Sequence, residues 1–402
     1  MSTPTTPAVS APSYKAGRIS SLEGLRAVAA LGIVLTHVAF QTGLDPTSPA
    51  GSLLARFDFF VPVFFALSAF LLWRRHRGDH TAGRVGRYLF SRAGRILPAY
   101  LVCVVAVILL LPEASSMSGT QILANLTLTQ VYVPDALAPG LTHLWSLSVE
   151  VGFYLALPLL ALSIGRLPRR GRILAILGVA VLSLTWAFLP FVEASPAEGV
   201  PNRQIWPPAY GAWFAVGMLA AEVEGRVPAR VDRLLRARWL WWAVAMVTAW
   251  VAGQEWFGPV GLTHPEPAEF LRRVLAGTVF AAAVVVPHAL AAGTGWLTSA
   301  PMQALGRWSY GIFLWHVALL SLAFPLQGVG PFQGGFFPVL AVTLALTIPV
   351  SAASYVLVEE PSSRWTRRLR ARIRGSVPVH APGSTHARPA AHSHASTSES
   401  PA

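Results

Sequence analysis

The chain runs to 402 residues, 53% of them hydrophobic and only 12% charged, with a mean hydropathy of +0.52. An ordinary soluble domain is about a quarter charged, and a single core of this length could not bury so much apolar surface, so the composition excludes a soluble globular protein and calls for a bilayer. The formal net charge of +13 does not describe a nucleic-acid-binding face, because the arginines that supply it sit in short stretches between long apolar runs, where positive charge reports membrane topology.

A membrane-spanning helix needs roughly 20 apolar residues. Ten runs approach that length: 22–40, 57–73, 96–111, 143–164, 173–191, 206–221, 239–257, 274–292, 308–326 and 336–358. The third and sixth are the shortest. No small-residue cleavage site follows the first run, so it reads as a retained helix and not as a removed signal peptide. The arginine-rich stretches are 74–95, 165–172, 222–238 and everything after 359, and Lys15 and Arg18 precede the first run. They fall at alternate connections, whereas the other connections hold only Arg56, Arg203, Arg272 and Arg273. This bias predicts an all-α, polytopic transmembrane helical bundle of about ten spans in the cell's inner or plasma membrane, with both termini cytoplasmic.

Residues 19–374 read as one transmembrane domain, with disordered segments at 1–18 and 375–402. The C-terminal segment carries His380, His386, His392 and His394, which read as a solvated tail and not a metal site. The connection 112–142 is the longest on the outer side and holds no lysine or arginine; its partly apolar stretch 121–133 is expected to lie along the membrane surface or dip into it. Cys103 is the sole cysteine, which excludes a disulfide framework and a thiolate metal site within one chain.

Ionisable residues within a span are costly and are functional candidates by default. Arg26 and His37 lie eleven residues apart on the first helix, on nearly one face and about 16 Å apart along the axis. One reading is a snorkelling arginine and a hydrogen-bonded core histidine. The other uses the imidazole, which titrates near neutrality, as a base for a hydroxyl attacking an acyl group. His143, Trp145, Ser146, Ser148 and Glu150 open the fourth run, with His143 and Glu150 on one face. Helix capping and an interfacial tryptophan account for Trp145 and His143 but poorly for Glu150. Arg92 and Arg95 precede the third run; they serve topology and anionic lipid, or they bind phosphate through planar, bidentate guanidinium contacts. Ser309, Tyr310 and His316 in the ninth run, and Tyr355 with Glu359 at the end of the tenth, form the last two clusters, for which packing and capping are the competing account.

Together these stretches resemble the acyltransferase-3 family of membrane proteins. The matching segments are Leu22 to Arg26 through Thr36-His37, an Arg-x10-His pattern; Phe64 to Phe70 around Ser68; Arg92-Ala-Gly-Arg95; His143-Leu-Trp-Ser-Leu-Ser-Val-Glu150; Ser309 to His316; and Tyr355 to Glu359. They occur in order across residues 18–368. Ala69 departs from the glycine usual in the family, which touches close packing or the acyl channel. The resemblance implies acyl transfer from acyl-coenzyme A (acetyl-coenzyme A in the first instance), a co-substrate and not a resident cofactor, with no metal. It implies His37 as the essential base or acyl-accepting group with Arg26 nearby, Arg92 and Arg95 for the donor, and Glu150 as a supporting acid. The remaining cluster residues, among them Ser68, Tyr310, His316, Tyr355 and Glu359, take supporting roles. It also implies membrane lipids as surroundings and a hydroxyl acceptor on a cell-envelope glycan, a glycolipid or a macrolide. Some members carry a C-terminal esterase-like domain, which is not found after the tenth run, so the acyl group is expected to go to the acceptor directly or through a separate extracytoplasmic protein. A pantetheine arm threading between the arginines and His37 is the expected geometry. The bias toward Ala, Arg, Pro and Gly suggests a high-GC bacterial genome such as an actinobacterial one. A proton-coupled transporter or flippase is the competing class, because intramembrane His, Arg and Glu also build such pathways.

Overall fold

The computed structural model describes residues 20–79, 81–261, 263–291 and 295–375. The disorder expected of 1–18 and of the C-terminal tail beyond Gly375, with its four histidines, falls outside these residues.

The described residues form helices and turns with no strand; the single bridge joins Ala197 to Val200. In chain order the helices are α1 (Ser20–Gln41), α2 (Pro49–Ala55), α3 (Phe60–His76), α4 (Ala82–Leu110), α5 (Gly119–Leu126), α6 (Trp145–Ser163), α7 (Arg169–Leu184), α8 (Pro190–Glu193), α9 (Gly211–Val223), α10 (Ala229–Arg236), α11 (Arg238–Ala252), α12 (Pro267–Leu290), α13 (Ala300–Leu326), α14 (Phe336–Ser354) and α15 (Glu360–Gly375). Among the described residues, seven helical stretches are long and apolar enough to cross a bilayer: Ser20–Gln41, Pro49–His76, Ala82–Leu110, Thr142–Arg166, Pro267–Leu290, Ala300–Leu326 and Phe336–Arg372. The other three apolar runs form α7, α9 and α11, of 16, 13 and 15 residues. They are shortened by identifiable breakers: α9 starts only after Pro207 and Pro208, and α11 stops at Gly253, whose missing side chain lets the backbone of Ser52 approach.

Large apolar side chains that the molecule leaves uncovered, such as Leu109, Leu110, Leu155, Leu159, Leu174 and Leu182, stud the outside of α4, α6 and α7. In water such a surface is a liability; in lipid it costs nothing. The chain is a multi-pass membrane protein. Inside, α3 packs along α9, and α13 packs between α1 and α14.

Several sequence expectations change in detail. The arginine-rich stretch 74–95 is not a loop. Arginine is a good helix former, and α4 begins at Ala82, so Arg84, Arg87, Arg92 and Arg95 ride on the same 29-residue helix as the third apolar run. His143 does not share a regular helix with Glu150; it sits in a 3-10 turn, Thr142–Leu144, ahead of α6. Tyr355 and Glu359 lie in a π turn, where Glu360 N–H bonds back to Tyr355 C=O, so their spacing is not that of an α-helix. Pro361 follows at once, and its missing N–H and bulky ring disfavour the ordinary bond to Leu357. The connection 112–142 contains α5, capped reciprocally by Ser118 and Gln121. Gly94 allows α15 to pass close over α4: a side chain there would meet the Thr366 hydroxyl at 2.2 Å.

Candidate active site

Helices α1, α3, α4, α6 and α13 surround a cavity of about 580 Å³. Arg74 and Arg75 from α3 and Arg92 and Arg95 from α4 line one end, where Arg75 and Arg95 reach solvent. Arg74 is engaged by Glu224 at 2.8 Å. The Nε of Arg92 is buried and makes no hydrogen bond among the described residues. Beside Arg92 and Arg95, the hydroxyl of Tyr310 donates to the carbonyl of Ile96 at 2.9 Å, fixing α13 against α4.

Midway along the cavity stands Glu150. Its Oε1 accepts a hydrogen bond from the Ser68 hydroxyl on α3 and another, 2.5 Å long, from the hydroxyl of Tyr154 one turn further along α6. Those two bonds give the carboxyl group partners inside a membrane helix. Arg26 shares the cavity wall and lies within electrostatic reach of Glu150, Glu23 and Arg95.

Phe64, Ser146, Leu147 and Phe313 also line the cavity. Phe313 also packs edge-on against His143, with ring centres 5.3 Å apart. Behind it three histidines from three elements converge. His37 Nδ1 lies 3.1 Å from His316 Nε2, and His143 sits 4.7 Å from His316 and 6.1 Å from His37 between ring centres. His143 and His316 are buried, and His37 is partly accessible. Among the described residues no group of three or more His, Cys, Asp or Glu could hold a metal ion.

The cavity therefore gathers Arg26, Ser68, Arg92, Arg95, Ser146, Glu150 and Tyr310, while His37, His143 and His316 form a second group just beyond Phe313. The passage expected between the arginines and His37 is not spanned by this cavity, whose wall includes Phe313 and none of the three histidines. Trp145, Ser148, Tyr355 and Glu359 are not on the cavity wall: Trp145 packs on Tyr210, Ser148 and Glu359 are buried, and Tyr355 belongs to the π turn. Sequence reasoning missed Tyr154, Arg74, Arg75 and Phe313 as members of the site. The i, i+4 spacing of Tyr154 from Glu150 was the available signal for the first.

The family model described as an acyltransferase domain matches residues 19–356. Among similar proteins, the acyltransferase MdmB of Streptomyces mycarofaciens is 26% identical over 88% of this chain and 94% of its own length. Nodulation protein 10 of Rhizobium leguminosarum bv. viciae is 26% identical over 89% of this chain and 97% of its own. The O-acetyltransferase OatA of Staphylococcus aureus is 24% identical over 87% of this chain, which spans 58% of that longer protein. No solved structure matches. A match across most of the helical bundle sets aside the transporter reading: the chain belongs to the acyltransferase-3 family and is a membrane-embedded acyltransferase.

Proposed function

We propose that this protein moves an acyl group, acetyl in the first instance, from cytoplasmic acyl-coenzyme A to a hydroxyl of a cell-envelope glycan, a glycolipid or a macrolide-like acceptor. The observation that carries this reading is the polarity of the cavity. One end presents a cluster of arginines suited to the phosphates of coenzyme A, and the wall also holds Phe313, which packs on His143 and His316, the two rings beside His37. The positive-inside bias puts the arginine end in the cytoplasm, where acyl-coenzyme A is made. Arg92, with its buried unpaired Nε, and Arg95 would hold the phosphates. The pantetheine arm would run past Glu150 and bring the thioester toward Phe313, whose ring must turn aside for the acyl carbon to meet His37.

His37 would take the proton of the acceptor hydroxyl as that oxygen attacks the thioester carbonyl. The alternative order, in which His37 is acylated first and then passes the group on, uses the same residue. The acetyl donor draws support from the relative named an O-acetyltransferase. An acceptor beyond the membrane is reached directly or through a separate extracytoplasmic protein.

The test is transfer of label from radioactive acetyl-coenzyme A to endogenous acceptors in membranes that hold the native protein or His37→Gln. Label in a glycan, glycolipid or macrolide fraction with the native protein and not with the variant supports the reading and names the acceptor. Equal labelling in both removes His37 from the mechanism. No labelling with any acyl donor removes the proposed donor.

A further inference from the structure

The hydrogen bonds around the histidine group determine which ring nitrogen of each carries hydrogen. Nδ1 of His316 lies 3.0 Å from the carbonyl of Ile312 and 2.8 Å from that of Phe313. Carbonyl oxygens only accept, so Nδ1 of His316 is the protonated nitrogen, and in the neutral ring Nε2 is left as a bare lone pair. That lone pair faces Nδ1 of His37 at 3.1 Å, and the carbonyl of Ile33 faces the same Nδ1 at 2.9 Å. With an acceptor on each side, His37 Nδ1 must carry the hydrogen and share it. His37 Nε2 is then the basic atom, and it makes no hydrogen bond among the described residues.

The third ring does not disturb this arrangement. His143 Nε2 lies 3.2 Å from the carbonyl of Leu314, so it is the donor, and Nδ1 of His143 is bare and buried without a partner. A bare nitrogen cannot compete for the lone pair of His316. The carboxylate within electrostatic reach of His37 is Asp58, and Asp58 is paired with Arg273 at 2.5 Å.

We propose that His316 is a positioning residue for His37: together with the Ile33 carbonyl it holds the ring of His37 in the tautomer that leaves Nε2 free, and its hydrogen bond to Nδ1 strengthens when Nε2 takes a proton. This rests on the acyl-transfer reading above. In many hydrolytic sites a carboxylate orients the catalytic imidazole. Within a membrane a neutral imidazole does the same work without burying a net charge in the resting state. The step balances. The acceptor O–H gives its proton to His37 Nε2 while its oxygen forms a bond to the acyl carbon. The carbon–sulfur bond then breaks, and the proton passes from Nε2 to the leaving sulfur as thiol. His316 gains and loses no net proton; its Nε2 only accepts the strengthened hydrogen bond from Nδ1.

The experiment uses the full chain, purified in lipid nanodiscs with 15N-labelled histidine, and compares the native protein with His316→Phe and His316→Gln. His37 signals are identified by their loss in His37→Gln. The expected native spectrum shows His37 protonated at Nδ1 and bare at Nε2. His316→Phe, which leaves the Ile33 carbonyl as the one acceptor for Nδ1–H, should loosen the hold on that tautomer, admit the Nε2–H form, and lower kcat for transfer from acetyl-coenzyme A by about 100-fold with KM for the donor unchanged. His316→Gln, whose side-chain oxygen can accept from Nδ1, should keep the native tautomer and much of the rate. A native spectrum with the proton on Nε2 of His37 overturns the proposal, and so does His316→Phe with native rate and tautomer. If the native protein transfers no acyl group at all, the acyl-transfer reading fails by itself, and the spectra still decide whether His316 sets the tautomer.

Discussion

Tyr88 on α4 donates its hydroxyl to the backbone carbonyl of Tyr154 on α6 at 3.1 Å, and that carbonyl is the one Pro158 cannot serve. Proline has no N–H to return to the residue four positions earlier, so a buried carbonyl is freed in an apolar interior, and the tyrosine takes it. Tyr88→Phe should therefore cost about 1–3 kcal/mol, the penalty of an orphaned buried acceptor. It would be read as a lower thermal midpoint of the detergent-solubilised protein. Adding Pro158→Ala, which restores the N–H, should recover most of that loss. If the double variant is no more stable than Tyr88→Phe alone, the pairing does not carry the energy assigned to it.

The helices were legible in the sequence for a simple reason. A long apolar stretch in lipid must satisfy its backbone within itself, so every apolar run came out helical. Pairings between helices were not legible. His37 and His316 are 279 positions apart and Ser68 and Glu150 are 82 apart, so spacing along one helix says nothing of their meeting. Glu222 shows the same limit. It stands at the start of the arginine-rich stretch 222–238, yet it is buried and bonded to Trp73 at 2.8 Å and to Arg172 at 2.8–2.9 Å, tying α3, α7 and α9 together.

Arg92 and Arg95 are assigned to the phosphates of the donor, so their replacement should weaken binding and leave the chemical step alone. Arg92→Gln and Arg95→Gln should each raise KM for acetyl-coenzyme A about tenfold or more, a loss of about 1.4 kcal/mol per tenfold, with kcat at saturation close to native. The sharper comparison uses S-acetylpantetheine, which lacks the nucleotide phosphates. On that donor the variants and the native protein should have equal kcat/KM. A defect as large on S-acetylpantetheine would show that the arginines act on the fold or on the reaction and not on phosphate.

Glu150 separates structure from chemistry in a pair of variants. Its Oε1 accepts from both Ser68 and Tyr154, and the side-chain oxygen of glutamine can accept the same two bonds. Glu150→Gln should keep the native thermal midpoint while acyl transfer falls about 100-fold, as expected when a group that exchanges protons or carries charge is neutralised. Glu150→Ala strands two hydroxyls and should lower stability as well, by about 1–3 kcal/mol for each. Native activity in Glu150→Gln would reduce Glu150 to a structural acceptor.

The departure at Ala69 is resolved by the helix opposite. Ala69 is fully buried in α3 yet is not on the cavity wall, so the extra methyl group does not narrow the acyl path. The close approach between α3 and α9 is granted instead by Gly217 on α9. A Cβ there would lie 1.9 Å from the carbonyl oxygen of Ala66 and 2.6 Å from the amide nitrogen of Phe70, and backbone atoms cannot step aside as a side chain could. Ala69→Gly should consequently be mild, costing about 1 kcal/mol or less through helix propensity, with acyl transfer unchanged. Gly217→Ala should force α3 and α9 apart, displacing Ser68 from Glu150 and the cavity end of α3 from α4. The expected result is a marked drop in thermal midpoint together with loss of acyl transfer, measured on the same preparation. A Gly217→Ala protein with native stability and rate would show that the two helices can separate without consequence for the site.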